Sequence, residues 1–292
     1  SMPIAVLSAM RESSGYHISV KGGRFMEAVA NADTVVFDKT GTLTYATPTV
    51  AKVVSFDGYS ASEMLRLAAC LEEHYPHSIA NAVVAEAKRL GLDHKEYHSQ
   101  VEYVVAHGIS STVEDKKVII GSAHFVFEDE GCVVPEAEQE KFNTLPEEYS
   151  HLYLCIAGRL AAVICISDPL RKEAKEAIQA LHACGISKVV MMTGDSRRTA
   201  EAVAREVGVD QFYAEVLPED KANFVRQEKA AGRKVIMIGD GVNDTPALSE
   251  ADVGIAINTG AAIAREIADV TIASEDLFEL VTLRKISQAL MG

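Results

Sequence analysis

From residue 168 to the end of the chain, short β-branched runs alternate with helical patterns: KVVMMTGD, SRRTAEAVAREVG, KVIMIGDGVND, DVGIAI, GAAIAREIA and DVTIAS. Strands that are apolar throughout and separated by amphipathic helices must bury both faces, which calls for a mostly parallel sheet with helices on either side. The run TVVF at residues 34–37 has the same character but stands far upstream, so the chain in between reads as an inserted domain. The insert has a different grammar. Two helical stretches, SASEMLRLAACLEEH and SIANAVVAEAKRLG, precede alternating strands around VEYVVAHGISSTVEDKKVIIGS, and an acidic segment, EDEGCVVPEAEQEKFNTLPEE, is expected to be looped. The expected fold class is α/β, a doubly wound parallel sheet interrupted by an α+β lobe. No internal repeat is present.

Charge and cysteine usage narrow the function. Lysine and arginine number 28 against 42 aspartate and glutamate, a net charge of 28 − 42 = −14, which disfavours a nucleic-acid backbone or an anionic membrane surface as partner. The five cysteines are scattered and never form a C-x-x-C pair, as expected of a reducing compartment and not of a disulfide framework or a zinc site. No apolar run approaches the ~20 residues that span a bilayer. The longest, LYLCIAGRLAAVICI, is split by Gly158-Arg159 and reads as two strands joined by a turn. Ser1-Met2 reads as a cloning remnant, and PIAVLSAM is too short for a secretory signal region.

In an open parallel sheet, ligands gather beyond the carboxyl ends of the strands. Three such ends carry acids here: Asp38-Lys39-Thr40-Gly41-Thr42, Thr193-Gly194-Asp195, and Gly239-Asp240-Gly241-Val242-Asn243-Asp244. The last two also open helices, whose N-termini suit an anion such as phosphate. Carboxylates and phosphate repel one another, so the combination makes sense with a hard divalent cation between them, Mg²⁺, for which Asp38 and Asp240 are the expected ligands. Each aspartate alone also fits a turn or helix-cap role.

The order DKTGT, TGD, a downstream lysine in LPEDKANF, and GDGVNDTPAL resembles the haloacid-dehalogenase superfamily and, within it, the P-type ATPases. The resemblance implies that Asp38 is the nucleophile that takes the γ-phosphoryl group of ATP to form an aspartyl-phosphate. It further implies a catalytic set of Asp38, Lys39, Thr40, Thr193, Gly194, Asp195, Lys221, Asn243 and Asp244. In that set Thr40 adds a main-chain carbonyl to Mg²⁺ beside Asp38 and Asp240, Thr193 and Lys221 bind phosphate oxygens, and Asn243 and Asp244 order the loop. Soluble phosphatases of this superfamily carry a second aspartate two positions after the nucleophile, a general acid and base that helps cleave the acyl-phosphate. Thr40 occupies that position here. Hydrolysis of the phosphoenzyme is therefore expected to be slow, which suits a pump's motor better than the alternative, a free-standing phosphatase.

The insert resembles the nucleotide-binding domain of the heavy-metal-transporting subgroup, with Glu72 and His77 in LEEHYPHSIANAV, Gly108 in AHGIS and Gly121 in VIIGS. By that resemblance His77 stacks on or bonds adenine, Glu72 bonds the base, and the glycines let the main chain approach ATP. Ser78 stands where the subgroup has proline, and Ala106 where it has a first glycine. The histidines His74, His77, His94 and His98 read as solvated helix surface in preference to a metal site. Asp168-Pro169-Leu170-Arg171 resembles the family's second hinge. The division implied is a connector from a membrane segment over 1–25, a phosphorylation domain over 26–45 and 167–285, a nucleotide-binding domain over 46–166, and a connector to the next membrane segment over 286–292. The transported metal cation, the membrane domain and the actuator domain would belong to the longer polypeptide, which places this fragment at the cytoplasmic face of a membrane.

Overall fold

The computed structural model describes residues 17–75, 77–92, 99–105, 108–240, 244–257, 262–274 and 276–291. The chain divides into two compact units, one of Ser1–Ala46, Leu170–Thr193 and Ala200–Gly292, the other of Thr47–Pro169 and Gly194–Thr199.

The first unit is built on a seven-stranded sheet. Its strands are β1 (Ile18–Val20), β2 (Thr34–Asp38), β9 (Lys188–Met192), β10 (Gln211–Tyr213), β11 (Val235–Gly239), β12 (Val253–Ile257) and β13 (Val270–Ile272), in the order β1-β13-β12-β11-β2-β9-β10. All neighbours are parallel except β1, which runs antiparallel to β13 at the edge. The continuous apolar runs serve two cores at once. Val35, Phe37, Val189, Met191, Ile236 and Ile238 face one cluster, while Val36, Val190, Met192, Val235 and Met237 face the other. Period-two alternation splits each run between opposite faces, which is why every residue in β2 and β11 is buried.

Helices α1 (Gly23–Asn31), α5 (Ala174–Ala183), α6 (Arg197–Val207) and α10 (Phe278–Met291) flank these strands, together with α7 (Lys221–Ala230), α8 (Thr245–Glu250) and α9 (Ala262–Ile267). Residues of α1, α5 and α10 fill the first cluster, and residues of α7 and α8 the second. A buried arginine fastens α10. Arg284 is 4% exposed, and its Nη1 donates to the carbonyls of Val29, Ala30 and Ala32 at 2.6, 2.9 and 2.8 Å, while Nε donates to Cys184 O at 3.1 Å. These are carbonyls at the C-terminal ends of α1 and α5, where a helix has no internal donors left and a cation is favoured. Arg284→Met keeps the bulk of the stem but takes the guanidinium from the carbonyls of Val29, Ala30 and Ala32, Cys184 O retaining Gln288 Nε2 at 2.7 Å, and is expected to lower stability by about 2–3 kcal/mol in urea unfolding followed by circular dichroism.

The second unit carries a six-stranded antiparallel sheet in the order β3-β8-β7-β6-β5-β4. Its strands are β3 (Thr49–Ser55), β4 (Ser99–Val105), β5 (Gly108–Val113), β6 (Lys116–Gly121), β7 (Ser150–Ile156) and β8 (Arg159–Ser167). The split apolar run forms the hairpin β7–β8, turning at Ala157-Gly158. Helices α2 (Ala61–Glu72) and α3 (Ser78–Arg89) cover one face through Leu65, Ala68, Leu71, Val83 and Ala87. Ser60 caps α2 by accepting from Glu63 N, as the S-x-x-E pattern requires.

The acidic segment departs from expectation. It contains a short helical turn at Glu136–Glu138 and a short α4 (Gln139–Asn143), and its Cys132 and Leu145 pack on the other sheet face beside Phe125 and Val126 of the turn His124–Asp129 that leads into it. Apolar residues spaced within a charged stretch supply a packing surface that composition conceals. All five cysteines are free thiols. Among the described residues, no helix is long and apolar enough to cross a membrane.

Candidate active site

The register of the first sheet brings the loaded strand ends to one level. Phe37 pairs with Ile238 and Asp38 with Met192, so Asp38, Gly239 and Thr193 leave their strands side by side. The chain order reverses here. From β2 it proceeds to β9 and β10 on one side, and returns to β11 on the other, which makes the gap beside β2 a topological switch point where loops diverge and a crevice forms.

At that crevice Lys221, from the start of α7, joins two acids. Its Nζ lies 2.9 Å from Asp38 Oδ2 and 2.8 Å from Asp244 Oδ1. Asp38 is 7% exposed and Asp244 1%. Burial pushes the Asp38 carboxyl well above the usual carboxylate range, and the nearby Asp244 adds to the shift, while Lys221 offsets part of it. For Lys221 burial pulls the pKa down, yet the two carboxylates outweigh that and hold the ammonium above its ordinary value. One buried ammonium thus serves two buried carboxyl groups.

Glycines give this cluster its density. Gly41, at φ +81°, turns the loop after Asp38 in a conformation that side chains disfavour, and a Cβ there would stand 3.0 Å from Asp240 Oδ2. A Cβ at Gly239 would stand 2.7 Å from Asp244 Oδ2. Both carboxylates therefore lie directly against main chain. The loop itself is tied by Gly41 N donating to Thr44 Oγ1 at 2.9 Å, by Thr44 N to Lys39 O at 3.3 Å and by Thr42 Oγ1 to Asp38 O.

The donor set fits a hard divalent cation. Asp38 and Asp244 share a single lysine, Asp240 lies against Gly41 in the loop after Asp38, and Asp244 Oδ2 is buried without a hydrogen-bond partner. Among the described residues no three acid, histidine or cysteine side chains enclose a common point. A cation held here would draw on main-chain carbonyls and water as well, the habit of Mg²⁺.

The remaining candidates divide between the units. Lys39 is buried, Thr40 half-buried, and Thr193 buried, with its N–H donating to Tyr213 O and its carbonyl accepting from Val216 N. Gly194 and Asp195 group with the second unit, and Asn243 lies outside the described residues. Asp244, expected to order the loop, also contacts Lys221 directly. Arg171, read only as part of a hinge, is buried against the loop after Asp38, a role with no signal in its D-P-L-R context.

In the second unit Glu72, at the end of α2, is 3% exposed, and its Oε2 lies 3.2 Å from His77 Nε2. That oxygen has no hydrogen bond of good geometry, so the pair is a close charge–dipole contact. His77 Nδ1 accepts from Ala80 N at 3.4 Å and caps α3. With Nδ1 an acceptor and Nε2 close to Glu72, the imidazole offers a ligand its face, flanked by Tyr75 at 5.7 Å between centroids. His94, His98, Pro76 and Ala106 lie outside the described residues.

Gly108 and Gly121 are paired across β5–β6. The Phe125 ring occupies the place of a side chain at Gly108, where a Cβ would fall 2.1 Å from Cδ2. Gly108→Val is expected to cost about 3 kcal/mol in thermal unfolding, since Phe125 sits in a filled core and cannot yield without displacing its neighbours.

The family model for haloacid dehalogenase-like hydrolases matches residues 32–252. The chain is 39% identical to Copper-transporting ATPase 2 of Rhizobium meliloti (strain 1021), over 98% of the chain and 34% of that protein. It is 36% identical to the Silver exporting P-type ATPase of Salmonella typhimurium, over 99% of the chain and 35% of that protein. The chain thus spans about a third of the length of these relatives. Among solved structures, the catalytic domain of the CPx-ATPase CopB-B, described in terms of conformational changes upon nucleotide binding, is 27% identical with a TM-score of 0.73, covering 98% of this chain and 99% of that one. A zinc-transporting PIB-type ATPase in its E2.Pi state is 32% identical with a TM-score of 0.65, covering 98% of this chain and 46% of that one.

Proposed function

Because the chain belongs to the haloacid dehalogenase-like hydrolases, and its relatives are heavy-metal P-type ATPases, we propose that it is the catalytic part of such a pump, in which Asp38 accepts the γ-phosphoryl group of ATP. The observation that carries this reading is the buried Asp38–Lys221–Asp244 cluster at the switch point of a parallel sheet. A carboxylate that attacks the γ-phosphorus of ATP, breaking the β–γ phosphoanhydride bond and releasing ADP, needs nearby positive charge to approach an anion, and a dry setting in which that charge acts strongly. Lys221 supplies such charge and would transfer its contact from Asp38 to a phosphate oxygen as Asp38 attacks. Thr193 would bond another oxygen. Lys39, Gly194, Asp195 and Asn243 would complete the phosphate loop.

Mg²⁺ would be held by Asp38, Asp240 and the Thr40 carbonyl, with Asp244 ordering the site, and would neutralise charge on the transferred group. ATP would bind the second unit, its adenine against the His77 ring that Glu72 orients, near Gly108 and Gly121. Phosphorylation is proposed to drive export or uptake of a transition-metal cation in the full-length protein, through a membrane domain and an actuator domain outside this chain. The expected division is a phosphorylation domain over 26–45 and 167–285 around a nucleotide-binding domain over 46–166, working at the cytoplasmic face of a membrane, with 1–25 and 286–292 as connectors.

Thr40, where a hydrolytic base would stand in a phosphatase, separates this reading from a free-standing phosphatase. Incubation with Mg²⁺ and γ-labelled ATP, followed by acid quench, is expected to yield a phosphoprotein that hydroxylamine cleaves. Rapid multiple turnover of simple phosphomonoesters, with no trapped phosphoprotein, would replace the pump reading with the phosphatase one.

A further inference from the structure

We infer that Arg171 is a positioning residue for phosphoryl transfer, clamping the carbonyls that follow Asp38 and so setting the shape of the loop that carries the acceptor. This rests on the proposed role of Asp38 and extends it to a residue remote in sequence.

Arg171 is 2% exposed and is among the largest side chains buried in the chain. Its Nε donates to Thr42 O at 2.7 Å, Nη2 approaches Gly41 O at 3.5 Å, and its main-chain N donates to Leu43 O at 2.8 Å. Three successive carbonyls therefore turn toward one residue. Leu170, just before it, pairs with Thr44 in an antiparallel bridge, and the Tyr45 ring lies 5.6 Å from the guanidinium carbon. The Tyr45 hydroxyl accepts from Lys172 N at 3.0 Å, so the contact is stitched from both sides.

Burying a permanently charged guanidinium costs more than satisfying carbonyls with water or a neutral donor. What it adds is direction, because its donors form a rigid planar fork, whereas an ammonium or a water reorients freely. The same loop is tied internally, by Gly41 N to Thr44 Oγ1 and by Thr42 Oγ1 to Asp38 O. With the carbonyls of residues 41–43 also held, the preceding Lys39 and Thr40 peptides have little room to rotate. A loop fixed in this way presents Asp38 to a phosphoryl group without ordering it anew at each turnover, and avoided reorganisation of that kind lowers barriers.

The test uses the full chain and two independent titrations: beryllium fluoride with Mg²⁺ as the phosphoryl mimic, and ATP without Mg²⁺ for the second unit. Arg171→Met and Arg171→Lys are expected to weaken binding of the mimic by roughly tenfold or more, lysine less than methionine because one donor remains, with ATP affinity unchanged. Native affinity for the mimic in both variants would overturn the inference, as would a parallel fall in affinity for the mimic and for ATP, which marks general loss of structure. Asp38→Asn is measured alongside. An adduct in the native chain that is lost in Asp38→Asn upholds the role of Asp38 whatever the Arg171 variants do, whereas no adduct in the native chain sinks both.

Discussion

Asp38→Asn is expected to abolish phosphoprotein formation from Mg²⁺ and ATP to below detection, while the protein stays folded and retains ATP binding. An amide has nearly the shape of the carboxylate but lacks its negative charge, so it is a poor nucleophile and a poor metal ligand. The effect on stability carries the sharper information. Asp38 is buried, and burial together with Asp244 raises its pKa, so in the native chain its charge is held at a cost that Lys221 only partly offsets. Removing that charge leaves Lys221 paired with Asp244 at 2.8 Å and relieves the repulsion between the two acids. The melting temperature should therefore hold or rise. Loss of labelling accompanied by unfolding would instead mark Asp38 as a structural acid, and full labelling of the variant would move the acceptor elsewhere.

Lys221→Met should produce the largest loss of stability of any single change at the site, about 3–5 kcal/mol at neutral pH, because it leaves buried carboxylates without their cation. Its pH dependence has a definite sign. A carboxyl whose folded pKa lies above its unfolded value contributes stability that is present at low pH and lost as pH rises through the folded pKa. Asp38 is already raised in the native chain, and loss of Lys221 removes the influences that lower it. The deficit of the variant should accordingly shrink on acidification from neutral pH, as Asp38 takes up a proton, and grow toward alkaline pH. Mg²⁺ should also recover part of it. Urea titrations at several pH values, with and without Mg²⁺, read both effects, and a deficit independent of pH would show that Lys221 acts through packing and not charge.

Much of this was legible before any coordinates. TVVF, KVVMM and KVIMIG could be assigned to one parallel sheet because residues apolar on both sides of a pleat have no other stable setting, and the acids at their ends follow from where such a sheet opens to solvent. Thr40 could be read as the absence of a local hydrolytic base only through the resemblance to the haloacid-dehalogenase superfamily, whose soluble phosphatases carry an aspartate at that position. The acidic segment was not legible, since its charge outweighs the few apolar residues that cover the sheet.

What the sequence determined by itself is the set of local chemical identities: which segments must be buried, which ends carry carboxylates, and where glycine permits a turn. Only the tertiary structure decided which groups neutralise one another. The pairing of Lys221 with Asp38 and Asp244, the grip of Arg171 on the carbonyls of residues 41–43, the fit of Phe125 against Gly108 and the anchoring of Arg284 at two helix ends all join residues remote along the chain. Periodicity reports which face of an element is buried, but a lone charged residue leaves no periodic trace. Its partner is set by strand order and register, which bring chosen side chains within a few ångströms, the range over which burial makes a missing counter-charge or donor too costly to leave unpaired.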